Sequence, residues 1–221
     1  MPLKNYFQIL NQLVTFGNNP IRMKKIYFIL VVLFGFTALH VTAQDLADLD
    51  TYEKTMKPGA QLSYDVTVKD KKYKLVLTLK KLGDEVSFTY KTSDPDNKSG
   101  TISMSNSAVS TAKALSHIFG GGDSKLDKET CLWISTQACS DITGTAQVGL
   151  KLNGIGDTVT VMGNTMGLFP FNINDNAVTL SGWELEGGNP KCTVDVLESL
   201  KLPLIYKLDI GWTMILTDIK N

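Results

Sequence analysis

The chain has 221 residues, 43% hydrophobic and 20% charged, and its 22 basic side chains balance 22 acidic ones. Arg22 is the only arginine, so everything after it lacks a guanidinium fork for phosphate or carboxylate, and from Gln44 onward acidic side chains outnumber basic ones. This excludes a nucleic-acid footprint, and with His117 the only histidine beyond His40, a multi-histidine zinc site in one chain is excluded too.

Lys24 and Lys25 precede an apolar run, Ile26–Leu39, and Val41-Thr42-Ala43 places small residues before a cut. These are the three parts of a secretory signal peptide. The run is shorter than the roughly 20 residues that cross a bilayer, and Thr37, His40 and Thr42 interrupt its end, so cleavage after Ala43 is expected rather than a membrane anchor. Gln44 stands where a lipoprotein needs a cysteine. Met23 begins a complete signal peptide, which makes residues 1–22 an artefact of start assignment and 23–43 the signal. The protein is therefore expected in the periplasm or outside the cell, with no stable membrane span after cleavage.

Residues 44–59 form an acidic lead-in closed by Pro58-Gly59, read as a loose tail or a single helical turn; residues 60–221 are read as a single antiparallel β domain. Gln61–Lys91 reads as a three-strand meander. Leu62, Tyr64, Val66 and Val68 alternate with polar residues, as do Tyr73, Leu75, Leu77 and Leu79, then Val86, Phe88 and Tyr90. The turns Lys69-Asp70-Lys71-Lys72 and Leu82-Gly83-Asp84-Glu85 suit antiparallel hairpins. Asp94 and Asp96 in TSDPDNKSG imitate a calcium loop, but Lys98 occupies the third ligand position, and the stretch reads as a solvated turn.

After a strand at Thr101–Met104, a helix is expected over Ser107–Phe119, capped by Asn106 or Ser107 and stopped by Gly120-Gly121-Gly122. Its spacing puts Ala108, Ala112, Leu115 and Phe119 on one side and Ser110, Lys113 and His117 on the other. Cys131-Leu132-Trp133-Ile134 reads as a central strand leading into the short segment Thr136–Ile142. Further strands follow at Thr145–Leu152, at Val159 and Val161, at Leu168–Ile173 and Ala177–Glu186 across Asn174-Asp175-Asn176, at Cys192–Val196 and at Ile210–Ile219. Gly182 shifts the alternation in its strand as a β-bulge does. The fold class is mostly β (α+β): a curled antiparallel sheet or half-barrel of about ten strands with one covering helix.

Several patterns invite chemistry. Ser110-Thr111-Ala112-Lys113 matches the Ser-x-x-Lys of penicillin-binding enzymes, and Lys98-Ser99-Gly100 imitates their Lys-Thr-Gly, but in the wrong chain order. Ser110, Lys113 and His117 on one stripe invite a hydrolytic reading, but three polar residues opposite an apolar face are what any surface helix shows, and no Gly-x-Ser-x-Gly elbow is present. Glu184 and Glu186 flank Leu185 as a solvated strand edge rather than a carboxylate pair across a cleft. Cys131, Cys139 and Cys192 give, in an oxidising compartment, one disulfide and one thiol; a reversal after Ser135 favours Cys131 with Cys139 and leaves Cys192 as a small buried residue. Tyr52, Tyr64, Tyr73, Tyr90, Trp133, Trp183 and Trp212 could serve as stacking platforms for sugars, yet most sit on the apolar phase of a strand, where aromatic residues belong to the core. No catalytic residue, cofactor site or metal site is assigned.

KPGAQLSYDV, SGTISM, LWIS and LPLIYKLDIGWTMILTDI together resemble exported β-rich proteins of unknown function from Gram-negative bacteria, across Lys57–Lys220. The resemblance implies export and a β architecture and carries over no site. The expected function is a non-catalytic binding module of the cell envelope holding an apolar or amphipathic ligand. The alternative is a structural protein binding an envelope partner. A hydrolase using Ser110, Lys113 and His117 comes third.

Overall fold

The computed structural model describes residues 47–117, 119–152, 158–189, 191–199 and 203–221. Residues 1–22 and the stretch 23–43 read as a signal peptide lie outside them. The fold is mostly β, 58% strand against 15% helix, so nearly all of its shape is set by how one sheet bends.

The meander forms as its alternation dictates: β1 (Gln61–Val68), β2 (Lys71–Lys81) and β3 (Val86–Thr92) are antiparallel neighbours. Leu62, Tyr64, Leu75, Leu77, Leu79 and Phe88 are essentially solvent-free on one face, while Val76, Thr78 and Thr89 on the other are half-buried. The first turn is only Lys69-Asp70, with Lys69 in the left-handed region (φ 54°), because Val68 already pairs with Lys71. β4 (Ser99–Met104) extends the meander beyond β3.

Two helical expectations are corrected. The lead-in is a helix, α1 (residues 47–55). Leu49, Tyr52 and Met56, three and four residues apart, pack it on the core, and Tyr52 is completely buried. The helix read over Ser107–Phe119 stops early: α2 (Asn106–Thr111) is capped by Ser105, whose Oγ accepts the Ala108 N–H. Beyond it β5 (Ala114–Leu115) is extended, because β7 (Glu129–Thr130) and β8 (Gln147–Leu152) flank it and take its backbone groups as parallel neighbours. Between them β6 (Ser124–Leu126) lies parallel to β4. A third helix, α3 (Thr136–Thr145), replaces the segment left open after Ile134; Ser135 caps it and Ala138, Cys139 and Ile142 are buried. Cys131–Ile134 is wholly buried but bends, with Leu132 at φ 63° and a single bridge from Trp133 to Leu204, so it is not a full central strand.

The C-terminal half is built on a long hairpin, β9 (Thr158–Ile173) and β10 (Asn176–Gly188). Asn174 and Asp175, both at positive φ (49° and 65°), make its two-residue turn, as a tight hairpin requires. The segments read separately at Val159 and at Leu168–Ile173 are one strand. β11 (Lys191–Leu197), β12 (Ile205–Asp209) and β13 (Thr213–Lys220) follow antiparallel. The strand expected over Ile210–Ile219 begins later, because Gly211 (φ 90°) turns the chain between Asp209 and Thr213. Thirteen described strands join in the order β6-β4-β3-β2-β1-β13-β12-β11-β10-β9-β8-β5-β7. A parallel contact of Asp218 and Ile219 with Asn172 and Ile173 joins β13 to β9 and closes β9–β13 into a small five-strand mixed barrel.

The irregularity expected at Gly182 is real in effect but sits elsewhere. β10 pairs with β11 in unbroken register from Gly182 to Gly188, and the extra residue is Asn164 of β9, opposite Glu184 and Leu185. What changes at Gly182 is the face that is covered. Val178, Leu180 and Gly182 are buried with Phe169 and Phe171 towards one side, whereas Leu185 is buried with Val194 towards the other. A Cβ at Gly182 would lie 2.2 Å from the Val196 carbonyl oxygen and 2.6 Å from Phe169 Cε2, so only glycine fits there.

Alanine at Leu75 or Leu77 should cost about 2–5 kcal/mol, through lost burial and the cavity left behind. Thr78→Ala, on the half-buried face, should cost less than about 1 kcal/mol. Chemical denaturation of the three variants checks this; equal large losses would mean that the meander is buried on both faces.

Candidate functional site

The structure does not assemble the residues of the hydrolase reading. The Ser110 hydroxyl donates to Asn106 Oδ1 at 3.1 Å, and Lys113 Nζ is held by Asp141 at 2.7 Å on α3. With α2 ending at Thr111, His117 is no longer on their stripe; it lies beyond β5, over the sheet. Ser110 and Lys113 are thus each bonded to another residue and not to one another. Asp94 accepts the Thr92 hydroxyl at 2.6 Å and Lys98 faces Asp96 at 3.4 Å, so the loop imitating a calcium site is closed on its own side chains. Glu184 accepts from Thr165 at 2.9 Å. Of the aromatic residues considered, Tyr52, Tyr64, Tyr90 and Trp133 are core, and Tyr73, Trp183 and Trp212 remain partly exposed.

Tyr73 and Trp212 meet His117 and Phe119 around a half-open cleft of about 240 Å³. Register builds its floor: Val66 of β1 faces Tyr73 of β2 on one side and Met214 of β13 on the other, with Leu75 in the next row. The roof is the segment after β5. Phe119 packs edge-on against Tyr90, with ring centres 5.1 Å apart, and the Gly121 N–H donates to the Tyr90 hydroxyl at 2.8 Å. The Gly211 turn delivers Trp212, whose ring centre is 5.2 Å from that of His117. Thr92, Asp94 and Lys98 complete the lining.

His117 Nδ1 is buried and has no hydrogen-bond partner. Burial lowers the pKa of its imidazole below the ordinary value, so the ring is neutral at physiological pH. Among the described residues no nucleophilic side chain bonds that nitrogen. Sequence periodicity could not reveal this site, because its four rings come from β2, the roof segment and the turn before β13.

A second unusual group lies on β11. Asp195 is only 6% exposed, with Oδ1 unpartnered, between Glu184 of β10 and Lys207 of β12. Burial pushes its pKa up to about 6; Lys207 opposes this, and Glu184 and Glu186 add to it. Inward alternation from Val194 and Val196 places Asp195 outward, so the sequence reading passed over it.

Cys131, Cys139 and Cys192 are buried free thiols in this structure. Cys192 touches the space above Gly187, as a small core residue does. Cys131 precedes the reversal at Ser135 and Cys139 follows it inside α3, the arrangement from which their pairing was read; no bond joins them here.

The chain matches no family model, no curated protein and no solved structure. The reading of the cleft therefore stands on its own geometry.

A carboxyl whose pKa rises from 3.8 to about 6 on folding binds its proton more tightly in the folded state, so wild-type stability falls as pH rises through that window. Asp195→Asn should gain about 1–2 kcal/mol over wild type at neutral pH, allowing for solvent screening, and nothing below about pH 4. Urea unfolding of both proteins across that range measures the difference.

The native protein should leave all three thiols unreactive towards an aromatic disulfide reagent, and unfolding without reductant should release three. A count of one, with Cys131 and Cys139 linked in a non-reducing peptide map, would instead establish the disulfide.

Proposed function

We propose that the protein is an exported, non-catalytic binding module of the cell envelope, holding a small amphipathic ligand in the cleft between Tyr73, His117, Phe119 and Trp212. The observation that carries this reading is the cleft itself: aromatic walls on a rim that the protein's own side chains leave open. Its position refines the expectation of a ligand inside the curled sheet. The buried side chains of β1–β4 and β8–β13 pack into one continuous hydrophobic core, and the cleft lies at its edge. The polar groups in its lining, Thr92, Asp94 and His117, favour a ligand with both an apolar face and hydrogen-bonding groups.

A second reading, an interaction protein, is favoured by Met166 (47% exposed) and Leu168 (65% exposed), which project from the same face of β9. Tryptophan fluorescence, titrated with a panel of small amphipathic compounds, discriminates between the two. A saturable change that Trp212→Ala abolishes is the expected outcome. No response from any compound, together with a dimer in native mass spectrometry that Leu168→Ser dissociates, would turn the assignment to the second reading.

Export supplies a separate prediction. Protein recovered from the periplasm or medium should begin at or near Gln44 on N-terminal sequencing. An intact Met1 or Met23 in a membrane fraction would mean an anchored protein instead.

A further inference from the structure

We propose that the cleft binds one neutral sugar ring, the terminal residue of a glycan whose remaining units extend into solvent. The inference rests on the binding reading above and narrows it to a ligand class. Size comes first. At about 240 Å³ the cleft is smaller than pockets for drug-sized ligands, and it accepts roughly one six-membered ring with its substituents.

The chemistry of the walls then selects among single rings. Tyr73 and Trp212 offer partly exposed aromatic surface, whereas Tyr52, Tyr64, Tyr90 and Trp133 spend theirs in the core. A pyranose has C–H groups that pack on an aromatic ring and a girdle of hydroxyls that both donate and accept. The lining presents polar partners beside the rings: the Asp94 carboxylate accepts, and the Thr92 hydroxyl and the Lys98 ammonium stand next to it. An alkyl chain in the same place would cover these groups without satisfying them, which is costly for buried polar atoms.

Charge argues against an anionic ligand. Asp94 and Lys98 are the two charged side chains of opposite sign at the cleft, Lys98 is drawn to Asp96 at 3.4 Å, and no arginine follows Arg22 to supply a fork. A phosphate, sulfate or carboxylate entering here would meet Asp94 without a committed cation. A neutral polyol meets no such penalty.

Calorimetric titration of the full chain with the methyl glycosides of glucose, galactose, mannose and N-acetylglucosamine tests the assignment, with indole and hexanoate as apolar and anionic probes of similar size. At least one glycoside should bind with millimolar affinity or better, and Trp212→Ala should weaken it about tenfold or more. Asp94→Asn, which keeps an oxygen to accept the Thr92 hydroxyl, should weaken the same glycoside severalfold with the thermal midpoint little changed, which guards against a Trp212 variant that fails to fold. If indole or hexanoate binds in a Trp212-dependent way and no glycoside does, the sugar assignment is wrong and the cleft remains a binding site of another class. If no probe binds, both this inference and the cleft reading fall.

Discussion

The last strand of the chain holds the fold together. β13 pairs with β1 along nearly its whole length, and its other edge serves β12 over Thr213–Ile215 and then β9 at Asp218 and Ile219. A strand has only two edges, so three partners require that one give way to another. Thr217 marks the change. It is the extra residue between Leu216, opposite Tyr64, and Asp218, opposite Ser63, and its hydroxyl donates to the Ser63 carbonyl at 3.1 Å. Without that insertion Ile219 would point away from Leu62. With it, Met214, Leu216 and Ile219 all stay on the buried face beside Val66, Tyr64 and Leu62.

Other features follow from that seam. The Tyr64 hydroxyl donates to the Ile205 carbonyl at 3.0 Å from within the core, tying the meander to β12 as well as β13. α1 is tied to the strands at two places: Asp48 accepts the Thr179 N–H of β10 at 3.0 Å, and the Thr55 carbonyl accepts from the side chain of Asn221, just after β13, at 3.0 Å. Both ends of the β domain are therefore fixed on one region. The cleft lies at the far end of the same β1–β13 pair, where Val66 and Met214 form its floor. Its floor is consequently supported by a strand that is paired along nearly its whole length, as a preorganised binding surface requires.

The polar groups divide into two kinds. Most charged pairs are exposed and local, such as Lys54 with Asp50 and Lys81 with Glu85, and contribute little individually. Asp195 and His117 differ, because each has a buried atom without a partner. Burial favours the neutral form of both: it raises the pKa of the aspartate and lowers that of the histidine. On Asp195 this stores a cost in the barrel wall. On His117 it leaves an uncharged nitrogen enclosed beside the cleft.

Local pattern alone was enough for the meander, because Leu62 to Tyr90 alternate cleanly and one covered face is all that such alternation encodes. The Asn174-Asp175 turn was legible for a similar reason: residues that tolerate positive φ mark a tight hairpin by themselves. The same local rule failed at Ser107–Phe119, where helical spacing over Ala108, Ala112 and Leu115 was genuine but β7 and β8 offered Ala114 and Leu115 better backbone partners. It also failed on α3, whose threonines, serine and glycine favour a helix weakly and which holds through Ser135 and the burial of Ala138, Cys139 and Ile142. Barrel closure, the residue inserted at Asn164 and the meeting of Tyr73, His117, Phe119 and Trp212 join positions far apart in the chain. Periodicity reports which face of a segment is covered, but not what covers it, and that second fact decided both the barrel and the cleft.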